Sequence, residues 1–154
     1  MRGYSLAEAV FVLGILAILV GVAFPALARS RARVNVVAAR NAFAATHSVA
    51  RQVAAQYGRL SRLHLDPEGD RFWVTVDTAT LPGVTALDTV GPVVWVGSLF
   101  GGVEIDGRGR TLCFDPRGLA TPRSDCDLPN ATIVFRRGRA VDTVTVSRLG
   151  RLLR

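Results

Sequence analysis

The sequence predicts an α+β protein: a long N-terminal helix that begins as a membrane anchor and continues as the spine of a mostly antiparallel β-sheet head. Three observations predict it. An apolar run extends from Leu6 to Leu27, and an apolar seam of helical period continues from Val36 to Leu60. Six short segments of strand character then follow "DPEGD" at Asp66 to Asp70. The 154 residues leave room for one domain of ordinary size and an anchor.

As a helix the run from Leu6 to Leu27 reaches about 33 Å, enough to cross a bilayer core. Arg2 precedes it and Arg29, Arg31 and Arg33 follow at once, so flanking charge orients the span only weakly. Beyond it Val36, Ala39, Phe43, Thr46, Ala50, Val53, Tyr57 and Leu60 recur at alternating steps of three and four, a narrow apolar stripe. Arg33, Arg40, His47 and Arg51 fall off this stripe, which places His47 on the exposed polar face. The expected organisation is a spanning half over 4–28, an amphipathic half-helix over 29–62 and a β-rich head over 63–154.

The head is read from "RFWVTVDT", "GPVVWVGS", "GVEIDG", "RTLCFD", "ATIVFRRG" and "AVDTVTVS". Each is short, rich in Val, Thr and aromatics, and bounded by Gly, Pro or Asp. "DGRGR" (Asp106 to Arg110) and "RRGR" (Arg136 to Arg139) read as tight hairpin turns. With no helix between the strands, the sheet is expected to be mainly antiparallel, with the half-helix covering one face.

The formal charge is +7, and every cationic side chain is Arg. A bias toward Arg codons produces that pattern without any function. Arg forks also grip phosphates and carboxylates in two-pronged geometry, so an arginine-rich face would hold a polyanion. The cluster Arg136, Arg137, Arg139, Arg148, Arg151 and Arg154 is the candidate. Cys113 and Cys126 are either a disulfide, adding roughly 3 kcal/mol in an oxidising compartment, or a pair of buried free thiols. These two cysteines with the distant His47 and His64 make no metal constellation, and no cofactor is implied. Asp66, Glu68 and Asp70 lack the downstream bidentate Glu of a calcium loop. "DGRGR" lacks the strand–helix setting of a phosphate loop. No Ser or Cys has a recognisable base partner, so the chain reads as non-catalytic.

The N-terminus admits three readings. "ALA" at Ala26 to Ala28 supplies a secretory cleavage site, although Glu8 and Pro25 suit a retained segment better. A generic single-pass anchor leaves Glu8 unexplained, because a carboxylate in hydrocarbon costs on the order of 2.5–3.5 kcal/mol. The third reading is a resemblance. "GYSLAE", then about twenty apolar residues and a Pro, resembles the class III signal of type IV pilins and pseudopilins.

That resemblance implies cleavage after Gly3 by a prepilin peptidase on the cytoplasmic side, removal of the leader 1–3 and N-methylation of Tyr4. The family's glutamate falls on Glu8 and its helix-bending proline on Pro25. Tyr4 stands where the family usually has Phe or Met, Ser5 where it has Thr, and Ala7 and Ala9 where it has bulkier aliphatics. Cutting at Gly3 frees an amine one turn from Glu8. In a helical bundle the Tyr4 amine of one subunit would then pair with Glu8 of its neighbour, offsetting the desolvation cost and setting the axial register.

The C-terminal part, "LCFDPRGLATP" and "ATIVFRRGRAVDTVTVSRLGRLLR", is similar to the end of GspH/FimT-type minor pseudopilins and minor pilins. Their "F-x-P-x-G" element falls on Phe114, Pro116 and Gly118, and their closing "G-R" on Gly150 and Arg151. The resemblance implies a structural subunit of a type II secretion pseudopilus or type IV pilus, with an inner-membrane anchor and a periplasmic head. Its partners would be the prepilin peptidase, other pilins, the membrane, and secreted cargo or DNA. Some FimT-type members bind DNA through a basic tail near "G-R-x-R". "GRLLR" at 150 to 154 is spaced by one residue more. The alternative function is that of a DNA-binding minor pilin acting in natural transformation, and a third reading is a Sec-secreted soluble β domain of unknown binding activity.

Overall fold

The computed structural model describes residues 6–79, 86–127 and 130–153. Gly3, Tyr4 and Arg154 lie outside the described residues. The architecture is α+β: one 52-residue helix, α1 (Leu6–Tyr57), and two four-stranded antiparallel sheets.

The strands are β1 (Ser61–Asp66), β2 (Arg71–Asp77), β3 (Leu87–Trp95), β4 (Glu104–Asp106), β5 (Arg110–Phe114), β6 (Ala131–Arg137), β7 (Ala140–Val146) and β8 (Leu152–Leu153). A single helical turn, α2 (Val96–Leu99), follows β3. One sheet has the order β3-β2-β1-β5 and the other β4-β6-β7-β8. The strand alternation is visible in burial: in β6, Ala131, Ile133 and Phe135 face the core while Thr132 and Arg136 face out.

The C-terminal half of α1 packs against both sheets at once. Phe43 meets Phe72 of the first sheet edge-on at 5.6 Å and Phe135 of the second at 6.0 Å. Val36, Ala39, Ala50 and Ala54 complete the buried stripe, and the Ser61 hydroxyl ties β1 to the helix by donating to the Ala50 carbonyl at 2.6 Å. Leu63, Val74, Leu112, Phe114, Ile133, Val144 and Val146 fill the core beneath.

Several expectations are corrected. The helix stops at Tyr57, short of 62, because Gly58 takes φ 61 and closes it. The Arg59 amide reaches back to the Ala54 carbonyl and the Gly58 amide to that of Ala55, a Schellman closure that a left-handed glycine makes cheap. "SRLHLD", absorbed into the helix and its margin by the sequence reading, is the central strand β1. "GPVVWVGS" is strand only as far as Trp95, and the pairing with β2 is irregular around Gly91 and Pro92. "DGRGR" is not a hairpin turn: β4 pairs with β6 and β5 with β1, so the segment crosses between sheets. "RRGR" does close the β6–β7 hairpin, with Gly138 at φ 58.

His47 is the clearest reversal. It is 3% exposed, not on a polar face. Val53 of the expected seam is buried, but the buried positions Val36, Ala39, Phe43, His47, Ala50 and Ala54 advance 18 residues in five turns, the 3.6 period of a straight helix. The expected seam alternated threes and fours, a 3.5 period that drifts about 20° per heptad and so selects Thr46 instead.

Candidate functional site

From Leu6 to Arg31 every residue of α1 is exposed, including Phe11, Leu13, Ile15, Leu16, Leu19 and Phe24. This half has a candidate membrane span's length and apolarity, and none of it is covered by the head. Glu8 lies in its first turn. Pro25 sits inside the helix, which continues through it; the ring lacks the N–H that would bond the Gly21 carbonyl. At the end of the run the Arg29 Nε donates to the Pro25 carbonyl at 3.2 Å.

The arginines singled out in the sequence do not form one cluster. Arg136, Arg137 and Arg139 sit at one end of the β6–β7 hairpin, and Arg148 lies in the turn at the other end of β7. The seven residues of β7 separate the two groups by about 20 Å at 3.4 Å per residue. Arg136 pairs with Asp106 at 2.5 Å. Arg137 is half-buried where α1 meets the turn after α2: a Cβ on Gly101 would lie 2.9 Å from Asn35 Nδ2 and 3.4 Å from Arg137 Nη1. Arg139, at the hairpin tip, faces Arg29 and Arg33 of α1 across a cleft of about 420 Å³. Arg148 and Arg151 are exposed, and the Arg151 amide donates to the Ser147 hydroxyl at 3.0 Å.

The elements around "FDPRG" and "GR" meet in space. Asp115 folds the first into a turn, its carboxylate accepting from the amides of Arg117 and Leu119, both at 2.9 Å. Arg51 of α1 donates to the Gly118 carbonyl at 2.7 Å. Gly150 packs so closely on Phe114 that an added Cβ would lie 3.2 Å from its Cε1. His47 stands edge-on to Phe114 at 5.1 Å, and among the described residues its Nε2 has no hydrogen-bond partner. Burial, then the neighbouring Arg51 charge, lowers its pKa to about 4, while the Gly150 carbonyl acts in the opposite direction. Cys113 and Cys126 are joined as a disulfide, with Cα atoms 5.8 Å apart, linking β5 to the loop that follows it. Close by, Arg62 holds Asp125 at 2.7 Å and keeps its carboxyl below the ordinary range.

One array was not anticipated. On the outer face of the first sheet, the Arg71 guanidinium lies 5.0 Å from the Trp95 ring and 5.3 Å from that of Trp73, and His64 stacks on Trp73 at 4.9 Å. His64 is further fixed by Thr75 at 2.9 Å and Thr111 at 3.3 Å, and burial beside Arg62 lowers its pKa. Alternation in "RFWVTVD" puts Arg71 and Trp73 on one face, but only strand pairing brings Trp95 and His64 to them. Among the described residues, no group of three or more His, Cys, Asp or Glu is placed to hold a metal ion.

No family model, curated protein or solved structure matches the chain.

Proposed function

We propose that the chain is a minor pilin or pseudopilin of GspH/FimT type. It is anchored in the bacterial inner membrane with its head in the periplasm, cut after Gly3, and built into a type II secretion pseudopilus or type IV pilus near the tip. The observation that carries this reading is the division of α1: an apolar half with Glu8 in its first turn runs without a break into a half that the head buries. An exposed apolar surface of that size needs a cover, and bilayer and neighbouring helices both supply one.

In this reading Glu8 receives the amine that processing creates at Tyr4 of the adjacent subunit, a pairing between neighbouring subunits of the bundle. The β-rich head, stapled by Cys113–Cys126, is the part that meets tip partners or cargo. The test is Glu8→Ala in a strain with the assembly machinery. Membrane insertion stays intact, and cross-linked incorporation into the filament falls at least tenfold. Equal incorporation of the variant would defeat the proposal.

A further inference from the structure

We propose that the cleft between α1 and the β6–β7 hairpin binds the phosphate of an anionic phospholipid, with an acyl chain lying along the apolar half of the helix. The inference rests on α1 spanning a bilayer. Arg29 and Arg33 are four residues apart and therefore stand one above the other on a single helix face. Arg139 reaches the same cleft from more than a hundred residues away, because Gly138 turns the hairpin at its tip. Among the described residues the four ion pairs use Arg40, Arg62, Arg71 and Arg136, so the three cleft arginines carry no carboxylate. Arg29 donates its Nε to the Pro25 carbonyl, and its Nη groups enter no hydrogen bond or ion pair among the described residues. Three arginines lining one cleft supply the charge and the forked donors that suit a phosphate.

What favours a lipid over a nucleic acid is the surface next door. The cleft shares Ala26 and Ser30 with the uncovered apolar face of α1 that Val20, Ala23, Phe24 and Leu27 form. A cationic cleft continuous with an apolar helix face complements an amphiphile, whereas a nucleic acid strand would leave that face uncovered. The depth also agrees. The arginines follow directly on the last apolar residues of the span, at the level where headgroups lie. The hairpin tip meets α1 near Arg33, while the other end of β7 packs near His47, so the cleft is the membrane-side end of the head. Phosphatidylglycerol is preferred to phosphatidylcholine because its phosphate charge is not balanced by an ammonium group, and the arginines attract net negative charge.

The test uses the full chain in non-ionic detergent, offered equal amounts of phosphatidylglycerol and phosphatidylcholine, with retained lipid counted by native mass spectrometry. Wild type retains phosphatidylglycerol preferentially, Arg139→Gln lowers that retention about fivefold, and Arg148→Gln at the far end of β7 leaves it unchanged. Tryptophan-fluorescence melting shows both variants folded. Wild-type indifference to headgroup, or equal retention by Arg139→Gln, overturns the inference. So does displacement of the lipid by inorganic phosphate or by a short oligodeoxynucleotide, which would mark a general anion site or a nucleic-acid site. Release of the chain from membranes by alkaline carbonate would defeat the spanning reading and the lipid site with it. A chain that resists extraction yet shows no headgroup preference overturns the lipid site alone.

Discussion

The two halves of α1 obey the same backbone geometry and face opposite surroundings. From Leu6 to Arg31 no side chain is covered, and large apolar groups point in every direction. From Val36 to Ala54 one stripe is sealed against two sheets, and Arg40 and Arg51 on its margin reach Asp142 and the Gly118 carbonyl. Local hydrogen bonding makes both halves helical; the choice of solvent differs. The second half is matched to the head of its own chain. The first is left uncovered by the head, and its length and apolarity make it a candidate membrane span.

The strongest way to break this contrast is to truncate one side chain in each half. Phe43→Ala removes the ring that touches both sheets and should destabilise the head by about 3–5 kcal/mol. Leu16→Ala, in the uncovered half, should leave head stability unchanged. The two tryptophans, Trp73 and Trp95, both lie in the head, so the fluorescence melting of the full chain in detergent reads the comparison directly. An equal shift for both variants would show that the halves are not independent.

A smaller effect is expected from the staple. Changing Cys113 and Cys126 together to Ala should lower head stability by roughly 3 kcal/mol, seen as a lower denaturant midpoint, without altering membrane retention. Smaller again is the pH response of His47. Its folded pKa of about 4 lies below the unfolded 6.5, so the unfolded chain binds the proton first and stability falls as pH drops from 6.5 toward 4. The loss should reach about 2 kcal/mol by pH 5, above the range in which the lowered carboxyls of Asp66, Asp77 and Asp125 titrate. His47→Gln should flatten that slope in urea titrations at stepped pH; an unchanged slope would place the proton elsewhere.

Much of this fold was legible because its signals are local. The apolar run, the helical stripe and the alternation in "RFWVTVD" and "ATIVFRR" each need only a few neighbouring residues. What was missed depends on partners distant in sequence. β1 follows the helix after three residues, and Leu60 fits the helical stripe as well as it fits a loop, so "SRLHLD" was hidden until its pairing with β2 and β5 defined it. β8, two residues long, has no period to read. The division into two sheets rests on Glu104 meeting Arg136 and Ser61 meeting Phe114, neither of which spacing reveals. The candidate site was half legible for the same reason: Arg29 and Arg33 are visible as a pair on one helix, but Arg139 joins them only through the hairpin.

In the proposed function the apolar half of α1 is kept and its N-terminus is made by cutting at Gly3. Intact-mass and N-terminal peptide analysis of the chain, recovered from cells that carry a prepilin peptidase, tests this directly. The expected result is a mature protein that begins at N-methylated Tyr4 and retains Glu8, with a Gly3 substitution leaving the uncut form. A mature chain that begins at Arg29 would contradict it.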